Sequence, residues 1–112
     1  MKSPITTHVL DTSVGRPANN VPARLERVTG TESLLLGTSA TNADGRIVDL
    51  LDVPLETGRY RITFDTAAYF AERGVACFFP EVAILFEITD AAQHHHVPLL
   101  LSPFGYSTYR GT

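Results

Sequence analysis

The chain has a single cysteine, Cys77, among 112 residues, which excludes an internal disulfide framework and fits a reducing compartment. Cys77 sits in the apolar stretch VACFFP, where burial raises a thiol pKa, so it reads as a small packed hydrophobe rather than a nucleophile. Long apolar runs are lacking too. No stretch approaches the roughly 18 apolar residues of a membrane span, and MKSPITTHVLD at the start has neither the apolar core nor the small-residue cleavage site of a secretory signal. The expectation is a soluble, unexported protein with no membrane partner. The closing RGT is not the serine-lysine-leucine peroxisomal address, which makes the cytoplasm the expected location. Basic runs are missing: the formal net charge is -3 with 19% charged residues, so no nucleic-acid partner is expected. With no repeat, low-complexity tract or linker, one domain over residues 1–112 is expected. Such a domain buries roughly two-thirds of its unfolded surface and would gain from self-association.

What is present is frequent punctuation by Gly, Pro, Asn and Asp, in VGRPANN, TGTES, TNADGR, DVPLETG and SPFG. Between these lie short runs rich in aliphatic and β-branched residues, the pattern of an all-β sandwich or barrel. Eight strands are expected: Ile5 to Thr12, Ala23 to Val28, Leu34 to Thr41, Arg46 to Leu51, Gly58 to Asp65, Glu81 to Thr89, His95 to Leu101 and Gly105 to Arg110. Alternation sends Tyr60, Ile62 and Phe64 to one face and Arg59, Arg61 and Thr63 to the other, and likewise groups Val82, Ile84, Phe86 and Ile88. DTAAYFAERG breaks the pattern: Asp65 or Thr66 can cap a short helix over Ala67 to Arg73 that Gly74 stops.

Four histidines in so short a chain matter because imidazole moves protons near neutral pH. His8 lies on the first strand, where a lone histidine is commonly a surface or satisfied core residue. Strand geometry sends His94, His96, Pro98 and Leu100 to one face and His95 to the other; His94 and His95 read as a solvated strand entry. Histidines at i and i+2 suit zinc, but no cysteine or carboxylate at ligand spacing completes the set of three or four, so no metal is expected. Arg46 follows an Asn-Ala-Asp-Gly turn. Ser102 or Ser107 with a histidine and Asp11 would make a protease-like set, yet no G-x-S-x-G elbow supports it. Gly15, Pro17 and Ala18 read as turn formers, and Asp11, Thr12 and Ser13 as loop-fixing hydrogen-bond groups.

Two segments go further. HVLDTSVGRPA and HVPLLLSPFGYSTYRGT resemble the paired signature blocks of the transthyretin-related 5-hydroxyisourate hydrolases, with a DGR block between them. The resemblance implies an eight-stranded transthyretin (prealbumin)-like β-sandwich with one short helix. It also implies a homotetramer, a dimer of dimers, whose first and last strands line a central channel. It assigns catalytic roles to His8, Arg46, His96 and the C-terminal Thr112, and substrate-binding roles to Tyr109, Arg110 and Gly111. Thr112 stands where the family usually has serine; it keeps the hydroxyl and adds a methyl group. The implied reaction opens the lactam of 5-hydroxyisourate to 2-oxo-4-hydroxy-4-carboxy-5-ureidoimidazoline in urate catabolism, with no cofactor or metal. The alternatives are a carrier that holds a hydrophobic ligand in the same channel, for which His8, Arg46 and His96 together would be superfluous, and a purely structural sandwich.

Overall fold

Alternating burial along the strands resolves into two facing sheets. The computed structural model describes residues 3–112. Among these, the order is β1 (Ile5–Asp11), β2 (Arg16–Pro17), β3 (Pro22–Thr29), β4 (Glu32–Ala40), β5 (Arg46–Ile47), β6 (Gly58–Phe64), α1 (Thr66–Glu72), β7 (Val82–Ile88), β8 (His95–Ser102) and β9 (Gly105–Thr108). One sheet has the order β4-β3-β6-β7; the other runs β1-β8-β9, with the two short strands β2 and β5 both on the free side of β1. Ile5, Val9, Val97, Leu99 and Leu101 from one sheet and Leu25, Tyr60, Ile62, Phe64, Val82 and Ile88 from the other form the core between them. Cys77 packs against it, half-buried. This is the expected all-β sandwich with one helix.

Asp65 caps α1, its carboxylate accepting from Ala68 N at 3.0 Å, and Gly74, at φ +68°, follows its end. Two strands depart from the expected pattern. The run from Arg46 to Leu51 pairs only over Arg46–Ile47, because Leu50 and Leu51 are both buried and consecutive residues of a strand cannot share a face. Arg16–Pro17, read as part of a turn, forms a two-residue edge pairing with Leu10 and Asp11, a position where proline's missing N–H is tolerated.

Asp11 does more than fix its loop. Its side chain is 2% exposed and accepts from Ser13 N at 3.0 Å and from the Tyr69 hydroxyl at 2.7 Å, tying β1 to α1. Burial, with the Asp11 carboxylate second, pushes the Tyr69 hydroxyl up to about 12, so it stays a donor. Tyr69→Phe removes that donor from a buried carboxylate and should destabilise the protein by roughly 1–3 kcal/mol, read as a lower urea midpoint.

The central pair β1 and β8 is parallel, and its outward face carries Thr6, His8 and Leu10 beside His96, Pro98 and Leu100. His95 points inward and is 5% exposed, not at a solvated strand entry as expected: the period-two pattern that turns His96 outward turns its neighbour into the core. Its Nδ1 has no hydrogen-bond partner among the described residues. Burial, then the charge of Arg110, lowers its pKa.

Candidate active site

Three chain segments meet on the outward face of β1. In register, His8 lies opposite Arg46 of β5 on one side and Pro98 of β8 on the other, while Thr6 lies opposite His96. His8 and His96 are therefore diagonal neighbours, about 8 Å apart from the strand rise and spacing.

Arg46 is held in place by the turn before it. Asn42 Oδ1 accepts from Asp44 N at 2.9 Å and Arg46 N at 3.0 Å, and Gly45 N donates to Asn42 O at 2.8 Å. Gly45 has φ +75°, and a Cβ there would lie 2.4 Å from Val9 O, so the turn requires glycine where it presses against β1. The same turn positions His8, whose Nε2 lies 2.8 Å from Asp44 O. A carbonyl only accepts, so neutral His8 carries its proton on Nε2 and leaves Nδ1 bare.

His96 is half-buried, with Nδ1 2.8 Å from the Thr6 hydroxyl. Burial lowers its pKa most, followed by the charges of Arg46, His8 and His94; a hydrogen bond at Thr6 partly offsets them. A neutral imidazole beside a permanent cation can accept a proton while the cation meets developing negative charge.

The C-terminal strip does not fray. Gly111 N donates to His96 O at 2.8 Å, and a Cβ on Gly111 would lie 2.6 Å from His96 Cδ2, so only glycine lets the strip lie this close to the ring. Arg110 is turned aside to Gln93 Oε1 at 2.8 Å. With Tyr109 it borders a cavity of about 270 Å³ whose lining includes His95 and His96 but neither His8 nor Arg46. Thr112, the exposed last residue, follows Gly111 directly. The structure thus groups His8, Arg46, His96 and Gly111, and sets Tyr109 and Arg110 on another side of His96.

The protease-like alternative finds no support: Asp11 is taken up by Tyr69 and Ser13, and Ser102 donates to Gly105 O. Among the described residues no group of three or more His, Cys, Asp or Glu is placed to hold a metal ion. Two members of the cluster were missed in the sequence: Thr6, and His94, whose Nε2 lies 3.0 Å from the Thr6 hydroxyl. The signal for Thr6 was its i−2 spacing from His8, which puts both on one face of β1.

The HIUase/Transthyretin family profile matches residues 5–111. A 5-hydroxyisourate hydrolase of Mus musculus is 48% identical over 98% of this chain and 96% of its own length. The uric acid degradation bifunctional protein TTL of Arabidopsis thaliana is 47% identical over 99% of this chain, which spans 38% of that longer protein. Among solved structures, the 5-hydroxyisourate hydrolase of Klebsiella pneumoniae superposes with a TM-score of 0.86 at 42% identity, covering 96% of this chain and 97% of that one. Sea bream transthyretin in complex with thyroxine gives 0.91 at 30% identity, covering 98% and 96%.

Proposed function

The chain belongs to the HIUase/Transthyretin family, and on that footing we propose that it hydrolyses 5-hydroxyisourate to 2-oxo-4-hydroxy-4-carboxy-5-ureidoimidazoline in urate degradation. The observation that carries this reading is that Arg46, in register with His8, and His96, diagonal to it, share one sheet face. His96, kept neutral, takes a proton from water as the water attacks the lactam carbonyl. Arg46 orients the substrate and stabilises the negative charge growing on the carbonyl oxygen. The carbon–nitrogen bond then breaks, and the leaving ring nitrogen takes a proton held by the histidine pair. A carrier of a hydrophobic ligand gains nothing from such a polar face. Tyr109, Arg110 and Gly111 are proposed to bind substrate, with the Thr112 hydroxyl acting beside His8, Arg46 and His96 in catalysis.

An ultraviolet assay tests the reading with 5-hydroxyisourate made fresh from urate and urate oxidase. Protein-dependent decay well above the spontaneous rate supports it; decay at the spontaneous rate refutes it.

The functional unit proposed is a single transthyretin-like domain over residues 1–112 acting as a cytoplasmic homotetramer, a dimer of dimers. The small core and the exposed apolar side chains Leu85 on β7 and Tyr106 on β9, both sheet-edge strands, support association. Light scattering at micromolar concentration should give about four times the chain mass of 12.2 kDa; an active monomer would refute it.

The terminal hydroxyl offers a finer test. Thr112→Ser should stay within a few-fold of the parent, whereas Thr112→Val keeps the shape and should lose roughly 1–3 kcal/mol of transition-state stabilisation. Equal rate constants for all three would reduce Thr112 to a wall residue.

A further inference from the structure

The Thr6 hydroxyl touches two imidazoles at once, His96 Nδ1 at 2.8 Å and His94 Nε2 at 3.0 Å. The two rings are nearly parallel, 18° apart with centroids 6.4 Å from each other. A hydroxyl has one proton, so it donates to one ring and accepts from the other, which locks the two tautomers together. Thr6 is 5% exposed, so water does not readily replace either bond.

We propose that Thr6 and His94 are positioning residues for His96: His96 Nδ1–H donates to Thr6 Oγ1, the Thr6 hydroxyl donates to His94 Nε2, and His96 is left with a bare Nε2. The opposite arrangement would put the ring proton of His96 on Nε2 and engage its only lone pair, leaving it no basic nitrogen. In the proposed arrangement, protonation at Nε2 is answered at the other end of the chain. The Nδ1 proton passes to Thr6 Oγ1 as the hydroxyl proton passes to His94 Nε2, and the reverse transfer returns it. The positive charge then rests on His94, which is exposed and borders an open depression of about 720 Å³ that Asp49 and Asp52 also line, rather than on His96, which faces the charges of Arg46 and His8.

The kinetic part of this inference rests on the hydrolase reading above; the tautomer part does not, and the experiment separates them. Long-range ¹H–¹⁵N correlation spectra of the imidazoles in the full chain should show His96 as the Nδ1–H tautomer in the parent and in Thr6→Ser, but a mixture with Nε2–H in Thr6→Val. In turnover, Thr6→Val should lower kcat about 10- to 100-fold with KM within about threefold, part of the full cost of losing a general base. Thr6→Ser should restore kcat to within a few-fold, and His94→Ala should lower it about tenfold. An Nε2–H tautomer in the parent, or unchanged kcat in Thr6→Val, would overturn the assignment. If the parent fails to act on 5-hydroxyisourate, the hydrolase reading falls, while the spectra still decide the Thr6–His94 assignment.

Discussion

His8→Ala and His96→Ala should each lower turnover of 5-hydroxyisourate by about 10²–10⁴-fold, the range for loss of a general acid or base, with circular dichroism and oligomeric mass unchanged. The fold should survive because neither side chain belongs to the core. The Gly111 bond to His96 is made by backbone atoms and persists without the ring. His8 bonds at Nε2 to an exposed carbonyl that water can satisfy. The parent's pH profile carries further information. His96 has its pKa lowered from 6.5, so its neutral, proton-accepting form persists to lower pH than in an ordinary histidine. The acid limb of kcat/KM should therefore fall below pH 6.5, activity being lost as pH drops through the lowered pKa. Turnover within tenfold of the parent in both variants would remove the histidine pair from the mechanism.

Arg46→Gln should cost about 10²–10³-fold in kcat/KM, comparable with removing one donor to a developing oxyanion. It should also shift the remaining profile. After burial itself, the Arg46 guanidinium does most to lower the His96 pKa, so its removal raises that pKa and moves the acid limb to higher pH. Arg46→Lys keeps the charge but loses the planar fork of donors; it should hold the limb near its parent position while recovering only part of the rate. A rate loss in Arg46→Gln with no movement of the limb would mean that the guanidinium acts on substrate alone and does not set the protonation of His96.

Much of the sandwich was legible because alternation along β6 and β7 and cap chemistry at Asp65 are local signals. What escaped was set by contacts distant in sequence. Leu50 and Leu51 look like strand residues until both are seen in the core, a placement that depends on Leu51 N reaching Ser3 Oγ, 48 positions away. His95 looks solvated in a polar run, yet the pleat buries it because β8 is the central partner of β1. Arg46, His8 and His96 were singled out through the resemblance of their flanking blocks, not through spacing. Thr6 was legible only as a neighbour of His8 on one face, since a strand threonine gives no hint that two rings converge on its hydroxyl from 88 and 90 positions away.

The parallel pairing of β1 with β8 also sets a schedule for the nascent chain. β1 leaves the ribosome about 90 positions ahead of its central neighbour, and until β8 follows it has only the two-residue partners β2 and β5. The β3-β4 hairpin and the β6-α1-β7 unit join near neighbours and can form early; β1 must wait until the intervening residues have been translated, at about 5–20 residues per second. During that interval of several seconds its apolar face and unpaired backbone are open to other chains. Pairings of such high contact order are slow to form even once both strands are available. The histidine face proposed on β1 therefore cannot exist before β8 pairs with it, and a chain stalled before β8 would hold every strand of the β4-β3-β6-β7 sheet while lacking that face.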